Sequence, residues 1–294
     1  MTLTYLITGA GGQLGSEWVR ELEAREVEYH AFGSKELDIT DKDKTEEVIA
    51  EIKPDVIINT AAYTKVDLAE EEPDKAHKIN GEAVEILANL AKKYDSRLVH
   101  YSTDYVFPGL ISDKLKMPDG YPEDYKTEPI NVYGQSKLEG EIAIQQIMSD
   151  YLIIRVAWLC GYFGHNFIKI MIKLGKEKDE LRVVNDQFGC PTYTSNVVHN
   201  TLALIHANRF GIFHQTSKGI ITWYDLADEI MNQMGYDTNV IPVSSEEYPT
   251  KAKRPYFSKL NIDKIESVPG VQLIDWKTGL IELLDELKDA PENH

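Results

Sequence analysis

Cysteine is nearly missing from this chain. Only Cys160 and Cys190 occur among 294 residues. A chain of this length needs no covalent staple, so both read as reduced, packed thiols. No Cys and His spacing suits zinc, and no metal site is expected. Positive charge is scarce as well: 31 Lys and Arg stand against 48 Asp and Glu, a net charge of −17. That argues against nucleic acid and anionic membranes as partners. It also leaves any phosphate-bearing ligand to backbone amides and a few well-placed cations. No apolar run approaches the roughly 18 residues of a membrane span. The opening residues run into glycines without a basic flank or a cleavage site. A cytoplasmic protein is expected. Hydrophobic residues make up 43%, enough for one large core or a core with a smaller lobe.

What is present is a regular alternation. Short apolar runs at 3–7, 26–32, 55–59, 97–102 and 151–156 read as strands. Helical patterns at 13–25, 42–52, 74–94 and 132–148 lie between them. This repetition predicts an α/β fold, a Rossmann-type doubly wound parallel sheet with right-handed crossovers. After about residue 160 the elements become mixed and richer in Pro and Trp. Residues 1–160 are therefore expected to form the NAD(P)-binding domain. Residues 161–294 should form mainly a smaller mixed α/β lobe, with some later segments returning to the sheet. The stretch 108–129 has little periodicity, and a loop that long is usually functional or mobile.

Glycines follow the first strand at once. In Thr8-Gly9-Ala10-Gly11-Gly12-Gln13-Leu14-Gly15, Gly9 permits a tight turn and Gly12 lets backbone approach a pyrophosphate. Gly15 allows close helix–strand packing, and the helix N-terminus attracts an anion. After the second strand comes another absence. NAD-selective sites usually place an acid there, but residues 32–35 read Phe-Gly-Ser-Lys. Ser34 and Lys35 suit a 2′-phosphate, so NADPH is expected, with NADH also admissible.

Of 16 tyrosines, only Tyr133 has a lysine four residues later. Tyr133 and Lys137 would share one helix face. A cation there would lower the phenol's pKa and make it a general acid. Thr103, at the end of the fourth strand, would supply a third group for adding a hydride and a proton to a carbonyl. His100, His165 and His214 read as satisfied structural histidines.

Together these stretches resemble the extended short-chain dehydrogenase/reductases. Within them the chain is similar to the branch that reduces dTDP-4-dehydro-6-deoxy-L-mannose to dTDP-L-rhamnose. The runs Ser102-Thr103-Asp104-Tyr105-Val106-Phe107 and Asp186-Gln187 with Gly189 and Pro191-Thr192 are specific to that branch. The resemblance implies catalytic roles for Thr103, Tyr133 and Lys137. It implies cofactor contacts at Gly12, Gln13, Leu14, Asp38, Ile39, Ala61, Ala62 and Tyr63. Thr103 and Asp104 would meet the sugar, Trp158 would form a wall against it, and Gln187 and Arg254 would hold the diphosphate. It also allows a homodimer. Some members bridge a dimer through Mg²⁺ held by glutamates. Glu17 matches one position, but 193–196 carry no carboxylate, in keeping with no metal. The stretch 109–129, with Lys114 and Lys116, is longer than the family pattern and leaves the hexose open. Two alternatives stand beside this reading: a reductase of another nucleotide-linked 4-keto-6-deoxyhexose, or a non-catalytic nucleotide-binding subunit.

Overall fold

The computed structural model describes residues 3–289. Five strands come from the first half: β1 (Tyr5–Thr8), β2 (Tyr29–Phe32), β3 (Val56–Asn59), β4 (Arg97–Thr103) and β5 (Tyr151–Val156). A sixth, Gly211–Gln215, returns from the second half. All pair in parallel, in the order Gly211–Gln215, β5, β4, β3, β1, β2. The strand residues alternate between two cores, as the pleat requires. Tyr5, Ile7, Val56, Ile58, Val99, Tyr101, Leu152 and Ile154 face one layer. Leu6, Ile57, Leu98 and Ile153 face the other. The first layer holds α1 (Gln13–Ala24) and the helix Thr194–His206; the second holds α2 (Lys42–Ile52) and the helix Ala83–Lys93.

Two elements depart from the sequence reading. The second strand starts at Tyr29, three residues later than expected, because 25–27 are spent closing α1. Arg25 N–H donates to Glu21 O and Val27 N–H to Leu22 O, with Glu26 at a φ of 54°. The expected helix over 74–94 is interrupted. It runs Pro73–His77, then a π turn Lys78–Glu82, then Ala83–Lys93. Asn80 explains the widened turn. Its side chain is fully buried, accepts from Tyr63 N–H at 2.8 Å, and donates to Tyr63 O and Ser136 Oγ at 3.0 Å. Such turns cluster at functional sites.

The helix Val132–Ile147 packs on this turn at Gly140, where a Cβ would overlap the Asn80 carbonyl. The remaining second-half elements form their own core. Helices Phe167–Glu177, Trp223–Met234 and Trp276–Lys288 pack beside the parallel pair Glu180–Val184 and Asn239–Val243.

The stretch 108–129 contains one short helix, Asp113–Lys116. Its far end is anchored. Tyr121 is fully buried and stacks on Phe107 at 4.5 Å. Its hydroxyl donates to Asp113 Oδ2 at 2.6 Å and accepts from Gly109 N–H at 3.0 Å.

Gly140→Ala should therefore destabilise the protein by about 1–3 kcal/mol through overpacking. Denaturant midpoints check this; an unchanged midpoint would mean the two helices are not held in contact there.

Candidate active site

The strand order passes from β1 to β2 on one side and β3 on the other, which opens a crevice beyond their carboxyl ends. The glycine turn fills its base. Gly9 has a φ of 71°, and a Cβ on it would stand 2.6 Å from Ala61 N. A Cβ on Gly15 would overlap the Gly9 carbonyl. The backbones are this close because no side chain intervenes, and the resulting cradle fits a dinucleotide. Gly12 caps α1, and the first-turn amides of Gln13, Leu14 and Gly15 point out of the helix start. The amides of Gln13 and Leu14, not their side chains, are offered to a phosphate. The Gln13 side chain turns toward the second half, donating to Leu159 O at 3.1 Å and accepting from Asn166 Nδ2 at 2.8 Å. Leu14 lies in the core.

At the end of β2, Ser34 and Lys35 are exposed. Inspection of 32–35 alone missed Glu36, whose carboxylate accepts from Gly33 N–H at 2.6 Å. An acid thus sits at this corner after all, reached by a turn. Asp38 is exposed and accepts from Thr40 N–H at 2.9 Å. The Ile39 side chain packs into the core. Ala61 and Ala62 are half-buried, and Tyr63 is buried with its hydroxyl on Glu72 at 2.8 Å.

The chemistry gathers where β4 ends. Thr103 Oγ1 donates to Asp104 Oδ1 at 2.9 Å and accepts from Tyr105 N–H at 3.2 Å. Opposite stands the helix Val132–Ile147. Asn131 caps it, accepting from Gly134 N–H at 2.8 Å, and donates across to Lys253 O at 2.9 Å. Tyr133, half-buried, meets Tyr105 edge to face at 5.6 Å. Lys137, one turn on, is buried.

The electrostatics differ from the sequence expectation in one respect. The Tyr133 phenol is raised rather than lowered. Burial raises Tyr133 to about 12, the Asp104 charge adds to the rise, and the Thr103 hydroxyl opposes it. The Lys137 amine instead donates to Tyr101 O at 2.6 Å and lies 3.2 Å from His100 Nε2. Burial lowers it to about 8, against the pull of Glu141. That pull is blunted because Arg155 holds the Glu141 carboxylate at 2.7–3.2 Å. Asp104 rises to about 7 by burial, with the Thr103 and Ser258 hydroxyls working the other way.

Trp158 adopts a φ of 48°, strained for an aromatic residue. It stacks on Trp223 at 3.7 Å, and a Cβ on Gly189 would stand 2.7 Å from its ring. Arg254 donates to Asp67 Oδ2 at 2.6 Å. Its Nη1 and the Asp104 Oδ2 are buried without a protein partner, one donor and one acceptor. Gln187 donates to Ser245 Oγ at 3.0 Å, and Asp186 holds the same serine. The loop ammonium of Lys114 lies 3.3 Å above the Phe188 ring. Glu17 is buried, pairs with Arg20, and accepts from Thr194 Oγ1 at 2.9 Å. Asn80, Glu36 and Trp223 had escaped the sequence reading. A single Asn on a helix carries no spacing signal, and the other two act through a turn and a stack.

The family model described as the RmlD substrate binding domain matches residues 3–289. The chain belongs to this family. It is 36% identical to the dTDP-4-dehydrorhamnose reductase of Escherichia coli strain K12, over 97% of this chain and 98% of that protein. It is 39% identical to the spore coat polysaccharide biosynthesis protein SpsK of Bacillus subtilis strain 168, over 97% and 98%. The dTDP-4-dehydrorhamnose reductase of Bacillus anthracis, solved in complex with NADP, superposes with a TM-score of 0.92 at 39% identity. It matches 97% of this chain and 100% of its own.

Asp104 gives this family member a pH signature. Below the ordinary carboxyl value of 3.8 both folded and unfolded chains hold its proton. As pH rises the unfolded chain releases the proton first, so the folded state loses stability up to about 7 and none beyond. The stability of Asp104→Asn relative to the parent should grow across that window and level off above it. Denaturation at a series of pH values checks this; a difference independent of pH would refute the buried, raised carboxyl.

Proposed function

We infer that the protein reduces the 4-keto group of dTDP-4-dehydro-6-deoxy-L-mannose, giving dTDP-L-rhamnose, with NADPH as hydride source. One observation carries the reading. Thr103 ends β4, and the helix Val132–Ile147 brings Tyr133 to the Thr103 hydroxyl and Lys137 to the Tyr101 carbonyl, at the sheet edge that carries the glycine cradle of Gly9 and Gly15. Family membership narrows the carbonyl to a nucleotide-linked ketosugar.

The chain's own groups divide the work. The cofactor supplies the hydride. At about 12, Tyr133 keeps its proton at neutral pH and gives it to the forming alkoxide, the stronger base. Thr103 turns its hydroxyl from Asp104 to the carbonyl oxygen and stabilises the charge developing there. Lys137 holds the cofactor's nicotinamide ribose. Asp104 Oδ2, which lacks a protein partner, accepts from a sugar hydroxyl. The Trp158–Trp223 stack walls the sugar, and Arg254 and Gln187 hold the diphosphate.

Gly9, Gly12, Gln13, Leu14 and Gly15 receive the cofactor phosphates. Ser34 and Lys35 favour a 2′-phosphate, while Glu36 beside them at Gly33 favours a free ribose hydroxyl. That mixture suits NADPH with NADH as a second choice. Ala61, Ala62 and Tyr63 border the middle of the cofactor, and Asp38 and Ile39 its adenine end. No described helix is long and apolar enough to cross a membrane. The reading places the enzyme in the cytoplasm, and a homodimer is part of the proposal.

The purified protein should oxidise NADPH stoichiometrically with the ketosugar. Tyr133→Phe should lose about 10²–10⁴-fold in kcat. Near-normal turnover of that variant would remove Tyr133 from the mechanism. Lys35→Ala should raise KM for NADPH and leave KM for NADH nearly unchanged; equal effects on both would end the 2′-phosphate assignment.

A further inference from the structure

From the sequence His100 reads as structural. The structure places it in the middle of β4, fully buried, between Asn59 and Lys137. Lys137 Nζ lies 3.2 Å from its Nε2, and Asn59 Nδ2 lies 3.0 Å from its Nδ1. The hydrogens along this line follow from one fixed donor. The backbone N–H of Ala61 points at Asn59 Oδ1 at 3.2 Å, and the Thr8 hydroxyl donates to the same oxygen at 2.8 Å. A backbone amide can only donate, so the Asn59 oxygen faces Ala61 and its NH₂ faces His100. His100 Nδ1 is then the acceptor nitrogen, and the ring's single proton sits on Nε2.

That proton points at Lys137. A neutral amine satisfies the geometry: it donates one hydrogen to Tyr101 O and accepts from His100 Nε2–H. An ammonium does not, because it would set N–H against N–H. Turning His100 to its other tautomer moves the conflict to Asn59, and turning Asn59 moves it to the Ala61 amide. Buried donors without acceptors are costly. The other groups around Lys137 are Tyr133 and Glu141 on its own helix and Asp104 beyond β4. Glu141 is held by Arg155, and the packed π turn contributes Asn80, neutral and bonded to Ser136.

We propose that His100 is a positioning residue for Lys137: locked by Asn59 as the Nε2–H tautomer, it favours the lysine's amine over its ammonium and so makes Lys137 a ready proton donor. In the reductase reading, on which this role rests, Tyr133 is left as phenolate after giving its proton to the alkoxide. Lowered only to about 8, Lys137 still carries its third proton at neutral pH, and that proton restores the phenol, an Nζ–H bond breaking as the Tyr133 O–H forms. The amine that Lys137 becomes is the form that His100 receives.

The test uses the full ¹⁵N-labelled chain. Long-range ¹H–¹⁵N correlation reports which ring nitrogen of each histidine carries the proton. His100 should remain the Nε2–H tautomer between about pH 6 and about pH 8. Asn59→Asp provides the inversion. One carboxylate oxygen keeps the Ala61 and Thr8 bonds, and the other accepts from His100 Nδ1–H, leaving Nε2 bare for the Lys137 ammonium. In N59D the tautomer should switch, and the alkaline limb of the kcat profile should move up by at least about one pH unit, a tenfold change in proton affinity. A wild-type His100 protonated on Nδ1 or on both nitrogens overturns the proposal, as does an N59D limb that stays where it was. Should N59D not fold, the wild-type tautomer decides alone. A wild type that fails to oxidise NADPH with the ketosugar overturns the functional reading instead, and the tautomer measurement still stands.

Discussion

The contact on which the site most depends is backbone on backbone, at Gly9 and Ala61. With no Cβ at residue 9, the end of β1 can touch the start of the segment leaving β3. Several features depend on that contact. It tightens the turn that presents the first amides of α1. It also sets the direction in which the chain leaves Asn59, and so aims the Ala61 amide at the Asn59 side chain. From there the hydrogen-bond line runs through His100 to Lys137. The glycine turn and Lys137 are therefore joined by one line of hydrogen bonds through the interior of the sheet.

Burial, more than net charge, sets the electrostatics of the site. The chain carries −17, yet the exposed acids bear little on the buried groups of the candidate site because water screens them. Desolvation is the largest influence on Asp104, Tyr133 and Lys137 alike. It raises the two acids and lowers the amine, favouring each group's neutral form.

The parallel sheet was legible in the sequence because strands covered on both faces read as short unbroken apolar runs. The glycine turn was legible because it combines spacing with position, directly between a strand and a helix. The start of β2 was misplaced because Glu26 and Val27 adjoin the strand-like run but close α1 by hydrogen bonds. The π turn was hidden because it depends on Asn80 finding partners on Tyr63 and Ser136, distant in sequence. The long stretch after Gly109 showed no period because Tyr121 is ordered by packing on Phe107 and Phe257 and by a hydroxyl shared with Asp113 and Gly109, contacts that follow no regular spacing.

Local rules alone determined the fold class and the family resemblance, and they picked out Thr103, Tyr133 and Lys137 as a candidate set. Periodicity and short-range spacing carry that information directly. Tertiary structure decided what each group does electrically. It turned the Lys137 amine toward Tyr101 and His100, raised the Tyr133 phenol, and folded Glu36 back onto Gly33. Proton affinities depend on solvent exclusion and on partners brought together from separate strands. Neither quantity exists until the sheet has formed and its two layers have closed over it.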